Sequence, residues 1–488
     1  MLLALLAYTA LPASASPQWG PVAAEPNEYL GPAGTSTMHG DAESSDTTPI
    51  LGPGEGPLGV SAYPLLAACP TLLQGYDELV VALCTSVVGR TPTVHLIDPK
   101  APAGFGASLA QLKLEKGSLL GGVYAYLDNE DRLVVVDGSR HLLRVGHSKN
   151  ADDKWQLKVD KKIDLSHVIA SDDNVTGLAP DWDGNVWFAT GGGLVGVVDD
   201  AGETRTRQLA DGERIENSIS TSTLGTSVAT THALYQFSLN EDGAIEEEWR
   251  NLYDRGSARN PGQLSWGTGS TPTYFGPENG NEFVAIVDNA EGRNNLLVYK
   301  TDGGEEICKT PVLGTPGGSE NSPIGIGNSV FVAGTYGYPY PAVPDGAGPA
   351  VPESAPFKGG LARIDIVDGA CEEVWTKDIR SSAVPQLSTG DGLLYTVIRE
   401  GSDDTSILDG FSFAVIDPED GKLLNTTELP GTMANDTLQM AGLITPGGNF
   451  WQGTVTGILR LRADGQDGGS LGSASSGIGS LGSVSSGS

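Results

Sequence analysis

A four-strand grammar restarts along this chain, and a repeat limits the possible folds more tightly than any composition does. Two lines carry it most clearly. Asp183-Gly-Asn-Val-Trp-Phe-Ala-Thr190 runs on to Gly193-Leu194, and Gly447-Gly-Asn-Phe-Trp-Gln-Gly-Thr454 runs on to Gly457-Ile458. Both read Gly-Asn-x-Trp-x-x-Thr, three residues, then an aliphatic strand. Self-similarity at a period of roughly 40–50 residues is the mark of a propeller or solenoid. Inner strands are expected to begin near Gly122, Val175, Asn217, Ser270, Ser322, Ser382 and Met440. An earlier unit, residues 63–115, carries Glu78–Leu83, Thr93–Ile97 and Ser108–Leu114. The expectation is an all-β chain folded as a β-propeller of eight four-stranded blades, with seven as the alternative if the first unit is not a full blade. The last unit, after Met440, shows three strands. An N-terminal strand is expected to complete it, because ring closure protects the sheet edges.

Four segments follow from composition. Residues 1–15 read as a signal peptide: Met1-Leu-Leu-Ala-Leu-Leu-Ala is a short apolar run, followed by Ala13-Ser14-Ala15 as a small-residue cleavage site. Residues 16–62 are rich in Pro, Gly and Ser and read as a flexible or loosely docked arm. Residues 63–463 hold the blades. Residues 464–488, with their Gly-Ser-Leu-Gly-Ser echoes, read as a disordered tail. The charge balance is strongly acidic, 29 Lys plus Arg against 61 Asp plus Glu, a formal net of −32. Such a surface repels phosphate backbones and anionic lipid. Nucleic acid and membrane insertion are therefore set aside, and a secreted, extracellular monomer is expected.

A second signature lies on the third and fourth strands. Ala414-Val-Ile-Asp-Pro-Glu-Asp-Gly421 and Leu361-Ala-Arg-Ile-Asp365-Ile-Val-Asp-Gly369 each place an acidic turn ending in Gly between two strands, and Leu297-Val-Tyr-Lys-Thr-Asp302-Gly303 is a looser copy. These lines are similar to the repeats of the quinoprotein-like (PQQ-like) β-propeller superfamily over roughly residues 63–463. The resemblance implies the fold. Members that use the quinone carry a tryptophan at each repeat end and often a vicinal disulfide; here only Trp249 and Trp375 stand at that place, and no two cysteines are adjacent. PQQ is therefore not expected, and the chain reads as a secreted member without clear quinone-binding residues.

Cys69 and Cys84 stand at the ends of the first unit's opening strands. Cys308 and Cys371 hold matching places in successive units, so bridges Cys69–Cys84 and Cys308–Cys371 are expected. Loops between first and second strands, and between third and fourth, are short, as in Asp181–Gly184 and Asp417–Gly421. The opposite face carries long connections: 251–269, 335–360 and 400–410. Long loops on one rim of a rigid ring are the usual carriers of binding. On that rim Glu216-Asn217-Ser218 and Glu320-Asn321-Ser322 each precede an inner strand, Asp173-Asn174 hold the matching place in another unit, and Asp436 precedes the last. Glu216, Asn217, Glu320, Asn321, Asp173, Asn174 and Asp436 thus form a candidate oxygen-rich site, with Ca2+ as the candidate cofactor. The plainer alternative is that these groups satisfy local backbone. Tyr336, Tyr338 and Tyr340 overhang the same rim as a candidate ligand-binding loop.

No Gly-x-Ser-x-Gly elbow occurs within residues 63–463, and the sequence holds no paired-histidine motif or phosphate loop. The leading functional expectation is a non-catalytic binding module for a protein or glycan, acting through the long-loop face. The alternatives are a metal-dependent hydrolase of lactonase or esterase type, using the rim carboxylates, and, more weakly, a quinone-dependent dehydrogenase.

Overall fold

The computed structural model of the protein describes residues 25–117, 123–344 and 346–464. The expected signal peptide and the tail from residue 465 lie outside the described residues. Among the described residues the strands form eight sheets, each built on four antiparallel strands, arranged as an eight-bladed propeller. The blades span 67–113, 126–164, 175–208, 219–252, 273–311, 324–377, 386–428 and 442–463, numbered here from 1 to 8. The seven-blade alternative is thereby set aside. Leu58–Pro64 pairs antiparallel with Gly457–Ala463 and supplies the outer strand of blade 8, so the N-terminal closure expected from the sequence is the closure found.

Within a blade, burial follows strand position. Val186–Thr190 and Leu194–Val198 are buried at every residue, as continuous apolar strands covered on both faces should be. The outer strand Trp155–Asp164 alternates between half-buried and exposed residues. The Gly-Asn-x-Trp repeat sits on second strands. Trp187 and Trp451 are both fully buried, and each donates its indole N–H back across the first hairpin, to Asp181 Oδ2 at 2.9 Å and to Thr445 Oγ1 at 3.1 Å.

The core is divided into one apolar cluster for each of the eight blade-to-blade interfaces. Two tryptophans staple neighbouring blades from outside. Trp249 Nε1 donates to Thr301 O at 2.8 Å, and Trp375 Nε1 donates to Pro418 O at 3.0 Å, each in the third-to-fourth turn of the next blade. The glycine that ends that turn is required twice over. Gly421 has φ +69°, and a Cβ there would lie 2.7 Å from the Trp375 ring. Both expected disulfides are present. Cys69–Cys84 closes the first hairpin of blade 1, and Cys308–Cys371 ties the outer strands of blades 5 and 6.

The largest departure from the sequence reading concerns the arm. Its described part, from residue 25, is lodged in the ring, and residues 42–48 are all buried. The inner edge of a blade carries backbone N–H groups that need acceptors. The arm supplies them in turn. Carbonyls of Thr35, Ser36, Ala42, Glu43, Ser45 and Asp46 accept from the N–H of Gln74, Leu127, Thr221, Tyr274, Gly325 and Leu387, serving blades 1, 2, 4, 5, 6 and 7 at 2.8–3.0 Å. Thr47–Thr48 then runs parallel to the inner strand Gln386–Ser388. Small Ser, Thr and Gly residues, which weigh toward disorder in a free chain, are what a narrow channel admits.

Candidate binding site at the channel mouth

The arm brings to the axis a group of titratable side chains. His39 Nδ1 lies 2.8 Å from Asp46 Oδ1 and 3.2 Å from Ser322 Oγ, and the Ser322 hydroxyl donates to the other Asp46 oxygen. Burial disfavours the His39 imidazolium, but the Asp46 charge, the hydrogen bond to Asp46 and the Asp41 charge together outweigh it and the pKa rises. Burial also lifts Asp41 to about 6 and Glu43 well above the carboxylate range.

Above this plug, on the long-loop face, lies a cavity of about 390 Å³. Its walls come entirely from blade links, second-to-third loops, strand ends at that face and the arm. Apolar groups such as Met38, Leu264, Val384, Leu438 and Met440 alternate with His39, Tyr124, Asn217, Glu320, Tyr340 and Gln439. Beside the mouth, Leu66, Val87 and Val88 form an exposed apolar rim; Val88 is 89% exposed. Val87 lines the cavity and donates its N–H to Leu66 O at 3.0 Å.

The two polar triplets diverge here. Glu216 is paired with Arg214, two residues earlier. The matching position before Glu320 is Gly318, so Glu320 has no such neighbour on its own link. Among the described residues neither Glu320 oxygen has a hydrogen-bond partner. Burial foremost pushes its pKa up to about 8. The Leu264 backbone favours the ionised form without reaching hydrogen-bond geometry; the Glu216 charge opposes ionisation, and the Arg259 guanidinium favours it. Asn217 Nδ2 donates to Thr268 O at 3.3 Å, and Asn321 Nδ2 donates to Gln439 Oε1 at 3.0 Å, binding the links to one another.

The other expected site residues are placed elsewhere. Asp173 accepts from the N–H groups of Asn174 and Gly192, both at 2.8 Å, and Asn174 O accepts from Gly191 N–H at 3.0 Å; these are local caps of a blade turn. Asp436 is held by Arg399 at 3.2 Å and by the Tyr338 hydroxyl. Among the described residues no group of three His, Cys, Asp or Glu side chains is placed to hold a metal ion. Tyr336 and Tyr338 are buried in their own loop, Tyr338 packing edge-on against Phe357 at 5.2 Å. Tyr340 alone of the three lines the cavity. His39, Asp46 and Tyr124 were not singled out from sequence. The signal was His39, Asp41, Glu43 and Asp46 crowded into an otherwise uncharged Ser/Thr/Gly stretch.

Fold and site together define an eight-bladed β-propeller whose channel is filled by its own N-terminal arm and whose long-loop mouth holds a cavity. No family model matches the sequence. An uncharacterized protein of Archaeoglobus fulgidus is 24% identical over 405 residues, covering 73% of this chain and 76% of that protein. Among solved structures, BamB from Moraxella catarrhalis is 10% identical with a TM-score of 0.38, covering 68% of this chain and 93% of that one. Virginiamycin B lyase from Staphylococcus aureus is 13% identical with a TM-score of 0.35, covering 67% and 93%. The disulfides fit an oxidising compartment, and among the described residues no helix is long and apolar enough to cross a membrane.

Proposed function

We propose that the protein is an extracellular binding module of quinoprotein-like architecture. In this reading it takes a protein or glycan ligand on the long-loop face, and a group projecting from that ligand enters the channel-mouth cavity. One observation carries the reading: an apolar cavity of about 390 Å³ with a few convergent polar groups opens beside the exposed rim of Leu66, Val87 and Val88. Cavities of this size and lining are the usual form of a ligand site. An exposed apolar rim is the usual form of a contact surface. The Trp249 and Trp375 staples support the quinoprotein-like assignment.

Glycan and peptide arrays probed with the intact protein test the reading. Val88→Asp, on the rim, should weaken each specific signal at least about tenfold, as loss of a contact anchor does. Asp420→Ala, on the short-loop face, should leave it unchanged. Signals lost with Asp420→Ala and kept with Val88→Asp would place binding on the other face.

A further inference from the structure

Glu320 and the Tyr340 hydroxyl are lining groups that are buried without hydrogen-bond partners among the described residues, and Glu320 is the ionisable carboxyl of the two. Glu320 is half-buried as a residue, yet both carboxyl oxygens are withdrawn from solvent. Oε2 lies under Gly269, where a Cβ would stand 2.6 Å from it. Its electrostatic neighbours are Glu216, Arg259, Tyr124 and Tyr340, and Tyr340 in turn feels Asp436. Among the described residues no nearby cation is paired with Glu320. Arg259 donates to Gly348 O at 3.0 Å and Gln263 O at 2.7 Å; His39 is bound to Asp46; Arg90 stands exposed at the outer mouth. An unpaired buried carboxyl group therefore shares a cavity wall with two tyrosines and several aliphatic side chains, on a protein of net charge −32 that concentrates cations around it.

We propose that this cavity binds a small organic ammonium ion, with Glu320 as its counter-ion, Tyr124 and Tyr340 as aromatic walls, and Leu264, Leu438 and Met440 against its apolar body. The proposal rests on the cavity being the ligand site and names what that site selects. A carboxylate swung into the lumen gains the partner it lacks, and tyrosine faces attract a desolvated cation. A neutral alcohol of the same shape can give Glu320 a hydrogen bond but no counter-charge, the weaker of the two interactions. Binding also requires Glu320 to ionise, so affinity for an amine rises with pH while the amine itself stays protonated.

The test is isothermal titration of the intact protein with benzylamine and with benzyl alcohol, which differ in the charged group. The parent should bind benzylamine at least about tenfold more tightly than benzyl alcohol, and more tightly at pH 8 than at pH 6. Glu320→Gln, which mimics the neutral carboxyl and should fold as the parent does, should erase the preference. Ala342→Trp, at the half-buried cavity edge, should abolish binding of both probes. Equal affinity for the two probes, a preference that survives Glu320→Gln, or no benzylamine binding would overturn the proposal. If array ligands remain sensitive to Val88→Asp in that event, the ammonium assignment falls and the binding face stands.

Discussion

At the scale of single residues, the channel stores protons. Glu320, Asp41 and Glu43 are carboxyls whose folded pKa lies above the ordinary value, chiefly through burial. These carboxyls therefore hold more protons in the folded protein than in the unfolded chain between about pH 4 and pH 8, and the stability they contribute falls as pH rises through that window; His95, which burial lowers to about 4, and His232, also lowered, act in the opposite sense below the ordinary histidine range. His39 acts with the same sign as the carboxyls: its raised pKa adds stability below its ordinary range, which is lost as pH rises through the folded value. The expected outcome is a melting temperature higher at pH 5 than at pH 8.5. Glu320→Gln should shrink that difference, by up to a few kcal/mol (~4) in stability at the alkaline end. Parallel pH profiles for parent and variant would show that Glu320 is not the group responsible. Glu320 and Glu216 were legible as a pair because both precede Asn-Ser and an inner strand. What separates them, Arg214 against Gly318, acts through side-chain pairing that no repeat pattern reports. The Asp173 and Asp436 positions match in register, but hydrogen bonds to Gly192 and Arg399 hold them out of the site.

At the scale of elements, strands, turns and bridges were readable because each has a local cause. Alternation, turn glycines and the Gly-Asn-x-Trp hairpin are written into contiguous residues. The strand Leu58–Pro64 could be inferred because a three-stranded last blade needs a fourth. The rest of the arm could not. Its order comes from inner-edge N–H groups supplied by six blades remote in sequence, so its composition speaks only for the free chain. The burial of Tyr338 has a related cause: its hydroxyl reaches Asp436, in a link about a hundred residues away. The staples give a prediction at this scale. Trp375→Ala removes both the bond to Pro418 O and the ring seated on Gly421, and should cost about 3 kcal/mol, the usual loss for a large buried aromatic. Denaturant melts would measure it. A loss under about 1 kcal/mol, the worth of a surface change, would mean that blades 6 and 7 are held by their inner cluster alone.

At the scale of the whole molecule, the chain carries 61 acidic side chains against 29 basic ones. Self-repulsion of this kind is relieved by screening, over a distance that falls from ~10 Å at 0.1 M salt to ~3 Å at 1 M. Melting temperature should therefore rise between these concentrations, equally in NaCl and KCl. A fall, or a response to one cation alone, would point to specific ion binding instead. The central claim is that the long-loop mouth of the channel is where this protein meets its ligand. Ala342→Trp tests it most directly, because it fills the cavity from a half-buried edge while leaving blades and plug untouched. Arrays of glycans and peptides should be probed with parent and variant at equal concentration, after matched melting curves establish that both are folded. Every specific signal of the parent should be lost or weakened at least about tenfold in the variant. Signals of undiminished strength from the filled protein would contradict it.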